Sequence, residues 1–305
     1  MNDLISKIKN LELETIKNLR NSKSENTLRA YQSDYNDFSL FCSKNGFKAM
    51  PTQPKILALY ITHLSSFSKY STLKRRLASI SILHKTKGHY IDTKHPVIME
   101  NLMGIKRING SNQKGKKPLL ISDLKVLIKA IDESKEKDKR KIRDKALILI
   151  GFSGGFRRSE LVDIEFEDVE FVNEGVKIFV KRSKTDQSGE GMTKAIPYFN
   201  NENFCPVKSL KKWIEIIDFK GGRIFNISDK SVALIIKKYA NQAGLDSHKY
   251  AGHSLRSGFA TSTAESGAEE RSIMAMTGHK STEMVRRYIK EANLFKNNAL
   301  NKIKI

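Results

Sequence analysis

Met276-Thr277-Gly278-His279-Lys280-Ser281-Thr282-Glu283-Met284-Val285-Arg286-Arg287-Tyr288-Ile289 is the stretch around which the chain is organised. A histidine follows a glycine, eight residues intervene, and a tyrosine preceded by two arginines closes the segment. A phenol set among cations reads as a nucleophile, because nearby positive charge favours the phenolate. Two earlier segments gain meaning beside it, Gly155-Phe156-Arg157-Arg158-Ser159-Glu160-Leu161 and Gly252-His253-Ser254-Leu255-Arg256. Each carries an arginine, and His253 stands one helical turn before Arg256, on the same face.

The chain has 305 residues, which is long for one compact core, so two domains are expected. Hydrophobic residues make up 39%, enough for globular cores. No run of about 18 apolar residues is present, so no membrane span is expected. The N-terminus lacks the apolar core of an export signal. Cys42 and Cys205 have no metal-binding spacing and fit a reduced, cytoplasmic setting.

Charge is the strongest compositional signal. Lys and Arg number 55 against 33 Asp and Glu, a net +22. Residues 1–112 hold 18 basic and 8 acidic residues and the remainder 37 and 25, so both halves are basic. A polyanion facing both halves explains this better than a single basic tail would. A lysine-rich solvated surface or an anionic membrane would account for charge alone.

Residues 1–20 have the apolar spacing of an amphipathic helix. Ser24 is placed as an N-cap, and Leu28, Tyr31, Tyr35, Phe38 and Phe41 follow at helical spacing as core. Asn45-Gly46 ends that helix, and Pro51-Thr52-Gln53-Pro54 opens the next, Lys55 to Ser65. In the helix from Ser71, Leu73, Leu77, Ile80 and Leu83/His84 form the inner face, with His84 a packed core residue. Lys74, Arg75 and Arg76 sit at its start, placed for a DNA groove or backbone. A further helix is expected from Pro96 to Arg107, and no strand before residue 165.

The polar, basic segment from Ile108 to Pro118 reads as a linker, with Lys114, Lys116 and Lys117 available to a phosphate backbone. The expected domains are 1–112 and 113–305. In the second, a helix from Ser122 buries Leu124, Val126, Leu127 and Ile131, and another runs from Arg143 to Phe152, stopping at Gly154-Gly155. A hairpin follows, with Val176–Val180 and Lys194–Tyr198 as strands and a turn-rich tip over 186–191. Trp213 is expected in the core, and residues 231–305 are expected to be mostly helical.

Taken in order, these segments resemble the tyrosine site-specific recombinases, the phage integrase family, over nearly the whole chain from about Ser24. The first-arginine box is Gly155 to Leu161; Arg182-Ser183-Lys184-Thr185 matches the hairpin lysine. His253-Ser254-Leu255-Arg256 matches the His-x-x-Arg box, and Gly278-His279 through Tyr288 the histidine-to-tyrosine box. The N-terminal half looks most like a Cre-like core-binding domain. The resemblance implies a mainly α fold with a small β-sheet in the C-terminal half. It pairs an all-helical, SAM-like core-binding domain with an α+β catalytic domain, the two forming a C-shaped clamp on DNA.

The chemistry implied is cutting and rejoining of DNA strands through a covalent 3′-phosphotyrosine, with no metal, cofactor or ATP. Tyr288 would be the nucleophile, and an ordinary phenol with a pKa of about 10 costs about 4 kcal/mol to ionise at pH 7. Arg157 and Arg256 would clamp the non-bridging oxygens in bidentate fashion, which a lysine point charge cannot do. His253 would act as general base, and His279 would donate a hydrogen bond to the phosphate. Lys184 would protonate the departing 5′ oxygen, with Lys181 and Lys194 as rivals on the same hairpin. Glu160 would hold Arg157 or His253, or form a plain helix ion pair.

The partners implied are a double-stranded DNA target site and further copies of the chain, four on two DNA sites, in a cytoplasmic, nucleoid-associated setting. The tail beyond Tyr288, with Leu294, Phe295, Ala299 and Leu300 apolar, would dock in a neighbouring copy or pack in cis. Strand relaxation of the type IB topoisomerase kind and a catalytically silent DNA-binding protein are the competing functions. Two positions depart from the family pattern: Phe156 stands where leucine is usual, and Gly258 where a bulkier residue is common, which would loosen its helix.

Overall fold

The computed structural model describes residues 10, 11, 13–15, 17, 18, 22–110, 115–181, 190–218, 221–292 and 299–303. It divides into two compact units, Met1–Lys114 and Gly115–Ile305.

The first unit is helical: α1 (Glu25–Lys44), α2 (Pro54–Ser65), α3 (Tyr70–Thr86) and α4 (Pro96–Asn109). Ser24 caps α1 by accepting from the Thr27 N–H, and Pro54 and Pro96 occupy first-turn positions where no backbone donor is needed. Phe38, Leu57, Ile61, Leu73, Ile80 and Ile98 form its core. His84 is buried and its Nδ1 pairs with the Ile80 carbonyl. Of the helix expected over 1–20, residues 10, 11, 13–15, 17 and 18 are helical, with Leu11 and Leu13 exposed; the rest lies outside the described residues.

The second unit contains α5 (Ile121–Asp132), α6 (Asp138–Ser153), α7 (Arg158–Val162), a three-stranded antiparallel sheet of β1 (Val169–Val172), β2 (Gly175–Val180) and β3 (Met192–Pro197), and then α8 (Pro206–Ile216), α9 (Asp229–Gln242), α10 (His253–Glu265), α11 (Glu270–Thr277) and α12 (Thr282–Ala292). The fold class is mainly α with one small sheet. From Ala146 to Ser153 every residue of α6 is buried, and the core forms around this helix.

Two local expectations shift. Helix α6 begins at Asp138, one turn ahead of its apolar periodicity; an acidic first turn and the Arg140–Glu136 pair fill the polar start. On α5, Val126 is 42% exposed and Ile128 is buried instead, because a residue two places from Leu124 falls off the inner face. Trp213 is buried and its indole N–H donates to the Ile224 carbonyl.

Candidate active site

Arg157 is the N-cap of α7. The Glu160 carboxylate, three residues on, takes both the Arg157 backbone N–H at 2.9 Å and its guanidinium Nη1 at 2.5 Å. This capping box fixes the backbone and the side chain of one arginine with a single buried carboxylate. The geometry joins Glu160 to Arg157. The preceding Gly155 has φ +55, a left-handed turn that lets the chain leave α6 and present Arg157.

Helix α10 carries the second pair. Arg256 is buried, 4% exposed, and its Nη1 donates to the Gly155 carbonyl at 2.9 Å. Its Nη2 is buried without a hydrogen-bond partner. His253, one turn earlier, lies exposed at the helix start. Gly258 follows on this helix, where a Cβ would lie 2.0 Å from the Leu119 carbonyl oxygen. The expectation that this glycine loosens the helix is therefore replaced by a packing reason: the incoming segment lies against α10, with Leu119 N–H bonded to Ser254 O at 2.9 Å.

Helices α11 and α12 complete the group. Gly278 caps α11 in the left-handed conformation, and His279 follows. The Thr277 hydroxyl lies 2.6 Å from the Ile273 carbonyl, which takes its only proton, so the 2.8 Å contact with His279 Nδ1 requires an N–H there. Nε2 is then left as an acceptor. On α12, Val285 is fully buried against α10 and α11, and Tyr288, one turn on, shares that face half-buried. The His279 and Tyr288 rings lie 6.2 Å apart between centroids.

The hairpin lysines separate clearly. Lys184 lies outside the described residues. Lys181 is exposed and bonded to Glu165, Glu167 and Asp168, which push its pKa well above the ordinary lysine value. Lys194 is fully buried. Its ammonium donates to the Gly154 carbonyl at 2.7 Å and the Met276 carbonyl at 2.6 Å, and sits 4.4 Å from the centre of the Phe156 ring. Lys194 was expected only as a rival to Lys184; the parity of β3, with Ile196 inward two residues later, is the signal that turns it inside.

Electrostatics tie the cluster together. Burial, reinforced by the Arg157 charge, pushes Arg256 down to about 10, with Glu160 and Tyr288 opposing. Burial pushes His279 down to about 4, and Arg256, Arg157 and Lys194 add to the shift. Burial likewise pushes Lys194 down to about 7 against the pull of Glu160. His279 is thus neutral near pH 7 beside Arg256, Arg157 and Lys194. Among the described residues no group of three or more His, Cys, Asp or Glu is placed to hold a metal ion.

The residues read as DNA contacts fall out differently. Lys74 is exposed. Arg75 is bonded to buried Asp34, and Arg76, only 20% exposed, bonds Asp37 and the Tyr60 hydroxyl. Arg76 therefore faces its own unit. Lys116 donates to the His248 carbonyl, and Lys117 to Asp123 and the Tyr250 hydroxyl, so both are strapped to the second unit. Lys114 lies outside the described residues.

Arg157 at the start of α7, Arg256 on α10, His279 after α11 and Tyr288 on α12 thus form one cationic cluster of two guanidiniums, an imidazole and a phenol, while His253 lies exposed at the start of α10. The chain belongs to the phage integrase family, which residues 119–294 match. It is 43% identical over 308 residues to the "Integrase/recombinase xerD homolog" of Selenomonas ruminantium, covering 96% of this chain and 89% of that one.

Among solved structures, it is similar to the XerH site-specific recombinase in a post-cleavage complex with a palindromic difH substrate. There the TM-score is 0.65 and the identity 19%, over 86% of this chain and 77% of that one. A lambda integrase tetramer bound to a Holliday junction aligns with TM-score 0.58 and 17% identity, over 92% and 75%. The chain is a tyrosine recombinase, an enzyme of site-specific DNA recombination.

Proposed function

We propose that this recombinase cuts DNA by attack of the Tyr288 oxygen on a backbone phosphorus, forming a 3′-phosphotyrosine and releasing a 5′-hydroxyl. The observation that carries the reading is Arg256, buried beside Tyr288 with one guanidinium nitrogen held by Gly155 and the other without a partner. A buried, unpaired donor is costly, and a non-bridging phosphate oxygen would relieve that cost. Arg157, oriented by Glu160, clamps the second oxygen. The two arginines supply the charge that a divalent cation supplies in other phosphoryl transfers.

His253 takes the phenolic proton, and Lys184 gives one to the leaving 5′ oxygen. His279 meets the phosphate through Nε2. The arriving negative charge offsets Arg157 and Arg256, so Nε2 gains a proton and donates. A second reading has the neutral Nε2, next to the Tyr288 ring, accept the phenolic proton instead. The bond energy is kept in the phosphotyrosine, so a free 5′-hydroxyl on another strand rejoins it without ATP.

Both basic units grip duplex DNA in this reading, through the exposed Lys74 in the first and the cationic cluster in the second. Each neutralised phosphate steepens the slope of log K against log[salt] by about 0.9, so a slope worth only one or two contacts contradicts a two-unit grip. Copies assemble on two DNA sites through the tail. Leu300 and Ile303 are exposed apolar residues near its end, and Leu124, Phe152, Ile196, Phe204, Phe259 and Met276 line an apolar groove of about 750 Å³ that the tail of a second copy would fill. Residues 293–298 of that tail lie outside the described residues. In this reading the enzyme works at the nucleoid, where its DNA is held.

The test is a nicked duplex selected from random-sequence DNA by binding to the protein. Wild type should trap a covalent protein–DNA adduct, and Tyr288→Phe should bind equally and trap none. Binding by both with an adduct from neither would replace this reading with that of a DNA-binding protein.

A further inference from the structure

Lysine at an inward position of a strand is costly, since an unpaired buried ammonium loses several kcal/mol of hydration. Lys194 stands in register with buried Ile178 and two residues from buried Ile196, where the strand's alternation calls for an apolar residue. Its partners explain the exception. Gly154 O is the first carbonyl beyond α6, and Met276 O lies in the last turn of α11. Helix C-termini leave carbonyls unbonded and carry partial negative charge, so one ammonium here serves two helix ends at once.

Those two ends are the ones that deliver the site. After Gly154 the chain runs through Gly155 and Phe156 to Arg157, and after Met276 through Thr277 and Gly278 to His279. The same turns are held from the other side: Arg256 bonds Gly155 O, and Arg157 Nη2 approaches Gly278 O at 3.5 Å. Four carbonyls of two turns are thus shared among three cations, and Lys194 bonds one carbonyl of each turn by its own side chain. The Phe156 ring closes the remaining side of its ammonium.

We infer that Lys194 is a positioning residue for strand cleavage: from β3 it ties the end of α6 to the end of α11 and so fixes Arg157 and His279 relative to each other. Fully buried, it does not touch DNA and acts only through those two turns. The inference rests on the Tyr288 reading above, and a Tyr288→Phe control keeps the two separable. An adduct formed by that control would sink the site reading and leave the clasp without an object.

The experiment measures single-turnover adduct formation on the nicked duplex, with the dissociation constant for the same DNA. Lys194→Met should cleave about 10²-fold more slowly, the usual consequence of a displacement near 1 Å at reacting groups, with DNA affinity unchanged within about threefold. Lys194→Gln, whose amide can donate to both carbonyls, should recover at least about fivefold of that loss. In a His279→Ala background, Lys194→Met should cost less than about threefold more, because residues acting as a unit are not additive. A Lys194→Met rate within about threefold of wild type, equal losses of binding and rate, or fully additive penalties with His279→Ala would each overturn the inference. If Lys194→Met does not fold, the Lys194→Gln and His279→Ala cycle carries the same test.

Discussion

In the helical unit Arg75 and Arg76 are answered by carboxylates: Asp34, 3% exposed, and Asp37. In the second unit Arg157, Arg256 and Lys194 lean on backbone carbonyls and, among the described residues, share one buried carboxylate, Glu160. The residue types are similar and the consequences opposite. A cation paired with a carboxylate is neutralised and serves the fold. A guanidinium held by carbonyls, such as Arg256, is oriented but keeps its charge, so the group as a whole attracts an anion. Burial is the largest cause of the low values of Arg256, His279 and Lys194, and the neighbouring cations add to it.

The comparison breaks most visibly at the proposed nucleophile. Tyr288→Phe should abolish the covalent adduct, read on a denaturing gel, because no other group described beside the phosphate site is a phenol. Arg256→Lys should come next. It keeps the charge but loses the fork, and cleavage should slow by about 10²–10³ in single-turnover assays while the fold stays intact. If lysine works as well as arginine, the carbonyl-held guanidinium is not a clamp.

In the other unit, Asp34→Ala leaves Arg75 and Ser79 without their buried acceptor and should cost about 1–3 kcal/mol in thermal or urea unfolding. Cleavage at saturating DNA should barely change; a large loss of rate there would erase the contrast between the units.

Smaller effects probe the excess charge itself. Sulfate should stabilise the wild type by about 1.4 kcal/mol at ten times its dissociation constant, and Arg256→Ala should lose that response in a melting assay. The pH dependence of His279 is weaker still. Its folded value near 4 lies below the ordinary 6.5, so as pH falls through 6.5 the unfolded chain takes a proton that the fold refuses, and stability drops. From pH 6.5 to 5.5 this amounts to at most about 1 kcal/mol. His279→Gln should flatten that part of the curve, and an unchanged slope would place the imidazole outside the cationic field.

Much of this was legible in the sequence because helix periodicity and local motifs are short-range. Phe38, Leu73, Ile80 and His84 fall where their spacing puts them, and the Arg157, Arg256, His279 and Tyr288 motifs stand in an order that chance seldom produces. Arg76 was harder. Its neighbours on the helix place it at an outward start, and the partners that turn it inward, Asp37 and Tyr60, come from other helices. Lys194 was hidden for the opposite reason: strand parity points it inward, but lysine is normally solvated, and its acceptors are backbone atoms, which leave no residue signature. The linker lysines show the same limit, since Lys117 finds Asp123 nearby but Tyr250 far along the chain.

Gly258 has the last consequence. With the Leu119 carbonyl oxygen where its side chain would start, any replacement must wedge the entering strap off the helix that bears Arg256 and sever the bond from Leu119 to Ser254. Saturation mutagenesis of this enzyme should therefore show an empty column at 258, at a residue with no side chain to take part in any proton transfer.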